Sequence, residues 1–163
     1  MGAQARQLVQ PTKWKNEFVK ASSPADLTPG TRIWAILPNE ERTGPAKTRP
    51  ALILGSTFAE VAGQPTLIAR VAYTTGTAAP SRFADNNKHR FEFIAGCGRA
   101  NWVKAHRIFD IPFRFRHFPN GNLVIDHVGS ALMDQVKAYI AKNPDICQPV
   151  SLLPGQKPVE MTL

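Results

Sequence analysis

Cysteine and acid are the scarce ingredients of this sequence. Its two cysteines, Cys97 and Cys147, form no CxxC pair and no Cys/His ligand spacing. That argues against a disulfide scaffold or a zinc site and fits a reducing cytoplasm. His89, His117 and His127 likewise lack ligand-like spacing and read as structural or solvated. No metal or cofactor is expected. Asp and Glu number 12 against 20 Lys and Arg, giving a formal net charge of +8 and a pI of about 9.9. Such an excess favours a polyanion or an acidic protein as partner. No apolar run approaches the ~18 residues of a membrane span. The opening "MGAQARQLVQ" also lacks the apolar core of a secretion signal. The expectation is a soluble cytoplasmic protein with no membrane contact.

What is present suffices for one domain. The apolar fraction is 43% over 163 residues, enough for a single core of ordinary size. Residues 1–27 read as a basic extension and linker: Trp14, Phe18 and Val19 are spaced for a short amphipathic helix, and "SSPADLTPG" is rich in turn formers. The domain then spans 28–143, and residues 144–163 form a Pro-rich tail expected to be irregular. Within the domain, "TRIWAIL", "RPALILG", "TLIARVAYT", "RFEFI", "NWVKAHRIFDIPF" and "GNLVI" read as strands. In the first, Trp34 and Ile36 take one face and Ile33, Ala35 and Leu37 the other, which suggests cover on both. "GSALMDQVKAYIAKNP" predicts a helix with Ser130 as N-cap and a stripe of Leu132, Val136, Tyr139 and Ile140. The fold class is mostly β with α: a small antiparallel β-barrel closed by a C-terminal helix.

The stretch "GPAKTRPALILG" places Arg49 where a polar loop enters a buried strand. An arginine opening a strand is ordinarily a solvated edge residue. In its setting, however, "PGTRIWAILPNEERTGPAKTRPALILG" resembles the PemK/MazF toxins of bacterial toxin–antitoxin systems. The elements are Pro29-Gly30, the strand with Ile33-Trp34, a long loop, and Arg49-Pro50-Ala51-Leu52-Ile53-Leu54. "LIARVAYTTGT", "WVKAHRIFDIP" and "GNLVIDHVGSALMDQVKAYIAK" extend the resemblance over residues 29–142. It implies an SH3-like barrel of the CcdB/MazF type, a homodimer, an acidic antitoxin as inhibitor, and metal-independent cleavage of single-stranded RNA or mRNA. The essential Arg of the family maps onto Arg49 and the essential Thr onto Thr74 or Thr75. Several members carry a His in the first loop, where this sequence offers Lys47.

The chemistry suits those residue types. Cleavage by the 2′-OH of the substrate requires removal of that proton, stabilisation of a charged phosphorane, and protonation of the leaving 5′-oxygen. Fixed donors aimed at developing charge are usually the largest catalytic contribution, and a guanidinium grips phosphate oxygens bidentately. His106 is the acid/base candidate, because imidazole titrates closest to neutrality. Strand alternation would turn Lys104, His106 and Ile108 to one side. RNA contacts are expected from Lys47, Arg82, Phe83, Lys104, Arg107, Arg114 and Arg116. Phe83 would stack on a base, and "FRFRHF" sets Arg114 and Arg116 against Phe113 and Phe115. Two other readings fit the same residues: a barrel that grips RNA or a partner without cutting, and a gyrase-inhibiting CcdB-like toxin.

Overall fold

The computed structural model describes residues 27–38, 46–61, 63–77, 89–113, 117–119, 123–152 and 160–161. The amphipathic segment with Trp14, and Arg82, Phe83, Arg114 and Arg116, lie outside the described residues. The strands are β1 (Thr31–Leu37), β2 (Lys47–Val61), β3 (Gln64–Thr75), β4 (Arg90–Ile94), β5 (Ala100–Pro112), β6 (Val124–His127) and β7 (Val150–Ser151). One helix, α1 (Ser130–Lys142), lies between β6 and β7. The sheet order is β4-β5-β3-β2-β1-β6, with every neighbour antiparallel. The short β7 runs parallel to β5, pairing Phe109 with Val150 and Asp110 with Ser151. The tail expected to be irregular therefore adds a strand.

Period-two alternation divides the sheet into two faces. Ile33, Ala35, Leu37, Ala51, Ile53, Ala69, Val71, Tyr73, Phe109 and Ile111 build a first core, closed over by Leu27, Phe118 and Leu123. The opposite face contributes Leu52, Leu54, Ala72, Val103, Ala105 and Ile108 to a second core under Leu132, Met133 and Val136 of α1. Because α1 packs on β4 and β5, that face is covered unevenly. Trp34, on this same face but on β1, away from β4 and β5, stays 39% exposed, and Ile36 is half-buried. The expectation of cover on both faces of β1 holds for only one of them.

The helix forms where its apolar stripe predicts, with Met133 added to the buried side. Its N-cap is Gly129 rather than Ser130, and no side chain caps it. The one-residue difference is usual at a helix end. Gly30 makes the turn into β1. Its φ of 96° suits glycine, and it bonds Ile53 and Val128 through its two backbone groups at 2.9 and 2.8 Å.

Among the described residues no ladder joins the edge strands β4 and β6, so the sheet is not closed into a barrel by backbone pairing. A side chain bridges the gap instead. Asp126 on β6 accepts a hydrogen bond from the Gly96 N–H, just beyond β4, at 2.8 Å. The same carboxylate takes Nε and Nη2 of Arg32 at 2.7 and 2.8 Å. Arg32 donates through Nη1 to Thr74 Oγ1 at 3.1 Å and lies 5.1 Å from the Phe93 ring centroid. A side chain at Gly96 would crowd this contact, since a Cβ there would stand 3.1 Å from that of Asp126. Farther along, Arg70 and Asp110 form a second buried pair across β3 and β5, at 2.7 and 2.9 Å.

The arginine hydrogen bond, then the Gly96 amide, holds the Asp126 carboxyl below its usual range against the opposing effect of burial. Its stabilisation is therefore present above the unfolded carboxyl pKa and disappears as pH falls through the folded value. Removing Asp126 strands a guanidinium that is 4% exposed. Asp126→Ala should lose about 3 kcal/mol or more of unfolding free energy in urea titration. A loss under about 0.5 kcal/mol would deny it this role.

Candidate nucleic-acid interface

Arg49 is the third residue of β2, two places after the exposed Lys47 and two before the fully buried Ala51. These three share the first face, so cover deepens along the strand from water into the core. Arg49 sits at the boundary, half-buried. Its Nε donates to the Leu37 carbonyl at 3.4 Å, and its guanidinium carbon lies 5.8 Å from the Tyr73 ring centroid. Tyr73 packs in turn on Phe109, with ring centroids 5.1 Å apart. The arginine is thus held from two sides at the end of a core.

The register separates the two threonines. Thr74 is 5% exposed on the face of Arg32, where its hydroxyl receives Nη1 of Arg32 and donates to the Pro50 carbonyl at 3.3 Å. It ties strands together and faces away from Arg49. Thr75 alternates to the face of Tyr73 and Arg49, is half-buried, and accepts the Thr77 N–H at 3.1 Å. Of the two residues left open by the sequence, Thr75 is the one that shares Arg49's face.

Two cross-strand rows continue that face. Tyr73 stands opposite Lys104, and Lys104 opposite Arg90. One row nearer the strand ends, Thr75 stands opposite Trp102, and Trp102 opposite Glu92. Arg90 also donates to the Thr77 carbonyl at 2.9 Å. Burial, and then Arg107, lowers the Lys104 pKa. Lys104 therefore joins Arg49 and Thr75 on this face. Arg90 and Trp102 join them too, although sequence reading passed over both. Alternation relative to Lys104 was the signal for Trp102, two residues away.

A bulge redirects His106. Between the pairs Tyr73–Lys104 and Ala72–Ile108, residues 105–107 have no opposite number on β3. Lys104 and Ile108 consequently point to opposite faces, and Ile108 is buried under α1. The expectation that Lys104, His106 and Ile108 share one side fails because inserted residues break the period. The His106 ring instead lies 4.8 Å from that of His89, whose Nδ1 is hydrogen-bonded to the Tyr139 hydroxyl. His106 Nδ1 is buried with no hydrogen-bond partner among the described residues. Burial first, then Arg107, His89, Lys104 and Arg90, push its pKa down to about 4. At neutral pH it is uncharged and able to accept a proton. His89 is 8% exposed, and His127 is exposed at the end of β6.

Among the described residues no His, Cys, Asp and Glu side chains gather as a metal-binding group, and no helix is long and apolar enough to cross a membrane. Because the folded His106 pKa lies below the unfolded value near 6.5, the unfolded chain binds the extra proton between them. Its contribution to stability is complete above about 6.5 and is lost as pH falls toward about 4. Chemical denaturation from pH 7 to pH 4 should show that loss. His106→Gln should flatten the slope, and an unchanged slope would contradict the assignment. Compared with protein-family models and with characterised protein sequences, this sequence matches none.

Proposed function

We propose that this protein is a metal-independent endoribonuclease acting on single-stranded RNA, the toxin of a PemK/MazF-like toxin–antitoxin pair. The observation that carries the reading is the shared face of Arg49, Thr75 and Lys104 at the mouth of the first core. In the proposed reaction the RNA 2′-oxygen attacks the adjacent phosphorus and loses its proton, the bond to the 5′-oxygen breaks, and that oxygen gains a proton. The products are a 2′,3′-cyclic phosphate and a 5′-hydroxyl. Arg49 neutralises the phosphorane and Thr75 donates to a phosphoryl oxygen, while His106, the expected proton acceptor, packs instead on His89, which bonds Tyr139 of α1. Lys47, Lys104 and Arg107 follow the backbone by charge. Arg82, Phe83, Arg114 and Arg116 keep their expected role as further RNA contacts.

The finer architectural reading is an SH3-like barrel, supported by the way Asp126 joins the ends of the sheet without a ladder. A homodimer, a cytoplasmic setting and an acidic antitoxin complete the proposal. The net charge of +8 supports the last. One observation favours a second reading, an RNA-gripping module that does not cut. A His106 pKa near 4 makes that imidazole a weak base at neutral pH.

Incubation with unstructured RNA in EDTA, followed by end mapping, separates these readings. Cuts should leave cyclic-phosphate and 5′-hydroxyl ends. Arg49→Ala should slow cutting by about 100-fold or more. Thr75→Ala should slow it in a protein of unchanged stability, whereas Thr74→Ala should lower stability first. RNA left intact but bound would favour the gripping module. Cutting undiminished in Arg49→Ala would refute the central assignment.

A further inference from the structure

We infer that Trp102 is the floor of a nucleobase subsite, with Lys104 and Arg90 beside it to hold the phosphate of the same nucleotide. This rests on the reading of the Arg49 face as an RNA site. Trp102 is half-buried in β5, opposite Thr75 on one side and Glu92 on the other. Its same-face neighbour along the strand is Lys104, and Arg90 stands directly across from that lysine. Directly opposed residues lie about 5 Å apart and diagonal ones about 7–8 Å apart. The cations are therefore near enough to meet a phosphate while the base rests on the indole.

The other described tryptophan shows what is particular here. Trp34 is more exposed, at 39%, but lies on the opposite face against Pro50. The arginine two places before it, Arg32, is committed to Asp126. Trp102 instead shares a face with Arg49, Lys104 and Arg90. Aromatic platforms interleaved with cations are how single-stranded nucleic acid is held, because every base has a stackable face and every nucleotide a phosphate. Glu92 gives the subsite a direction. Exposed and opposite Trp102, it repels phosphate from that end and turns the backbone toward Lys104 and Arg90. Thr75 and Arg49 flank the other side, so the stacked nucleotide adjoins the one proposed to be cut.

The test uses the full chain carrying Trp14→Phe and Trp34→Phe, in which Trp102 is the sole indole reporter. A mixed-sequence 2′-O-methyl oligonucleotide, which cannot be cleaved by 2′-OH attack, should quench its emission saturably. An abasic oligonucleotide of equal length should bind with little quenching. Measured by fluorescence anisotropy, Trp102→Ala should weaken binding on the order of 10-fold, and Trp102→Phe should recover most of it. Binding without quenching, or Trp102→Ala binding as tightly as the parent, would overturn the subsite. If Arg49-dependent cutting of unmodified RNA persisted in that case, the nuclease reading would stand without it. Failure of the intact protein to bind any oligonucleotide would overturn both.

Discussion

Arg32 carries its charge at 4% exposure, and the sheet takes its shape around the group that makes this tolerable. Asp126 meets two of its N–H groups and also accepts the Gly96 amide. Thr74 takes a third N–H, and Phe93 lies against the guanidinium. Through these contacts β6, β1, β3 and β4 converge on one side chain, and the two edges of the sheet approach without a ladder. A buried pair of this kind is easily exceeded by its desolvation cost unless the remaining hydrogen-bonding positions are filled. Here Thr74 and the Gly96 amide add hydrogen bonds to the pair, so that three strands and a turn meet at it.

The candidate site follows from this geometry at one remove. With Thr74 held by Arg32 and the Pro50 carbonyl on one face, alternation commits Tyr73 and Thr75 to the other. Tyr73 closes the first core beneath Arg49. The bulge in β5 then separates functions along a single strand. Before it, Trp102 and Lys104 face the Arg49 side; after it, Ile108 and Asp110 serve the interior. The inserted residues bring His106 against His89, where burial first and then the neighbouring cations suppress its protonation. The proposed interface is thus the uncovered end of a packed face, where side chains lose cover one strand position at a time from Ala51 to Lys47.

Much of the fold was legible because its signals are local. "RFEFI" alternates apolar and polar residues and became β4, and the stripe from Leu132 to Ile140 became α1. The place of Arg49 near the start of an apolar strand was legible too. What escaped depends on register, which no local pattern supplies. Thr74 and Thr75 differ only in which face they take, and the pairing of β3 with β5 decides that. Lys104 and Ile108 were assigned to one side because a bulge is invisible to period-two counting. Arg32 and Asp126 are 94 positions apart, and nothing local pairs them until β1 and β6 are side by side. The strand β7 lies in a Pro-rich stretch whose composition favours irregular structure, and only its partner β5 organises it.

The most direct test of the central claim, that RNA lies across the Arg49 face, is photocross-linking. A single-stranded oligoribonucleotide carrying 4-thiouridine would be cross-linked to the intact chain and the attachment sites mapped by mass spectrometry. The account predicts cross-links concentrated in residues 73–75 and 102–104, competed away by unlabelled RNA and weakened by Arg49→Ala. Cross-links confined to α1 or to the far end of the β2–β3 hairpin around Phe58, and insensitive to Arg49, would contradict it.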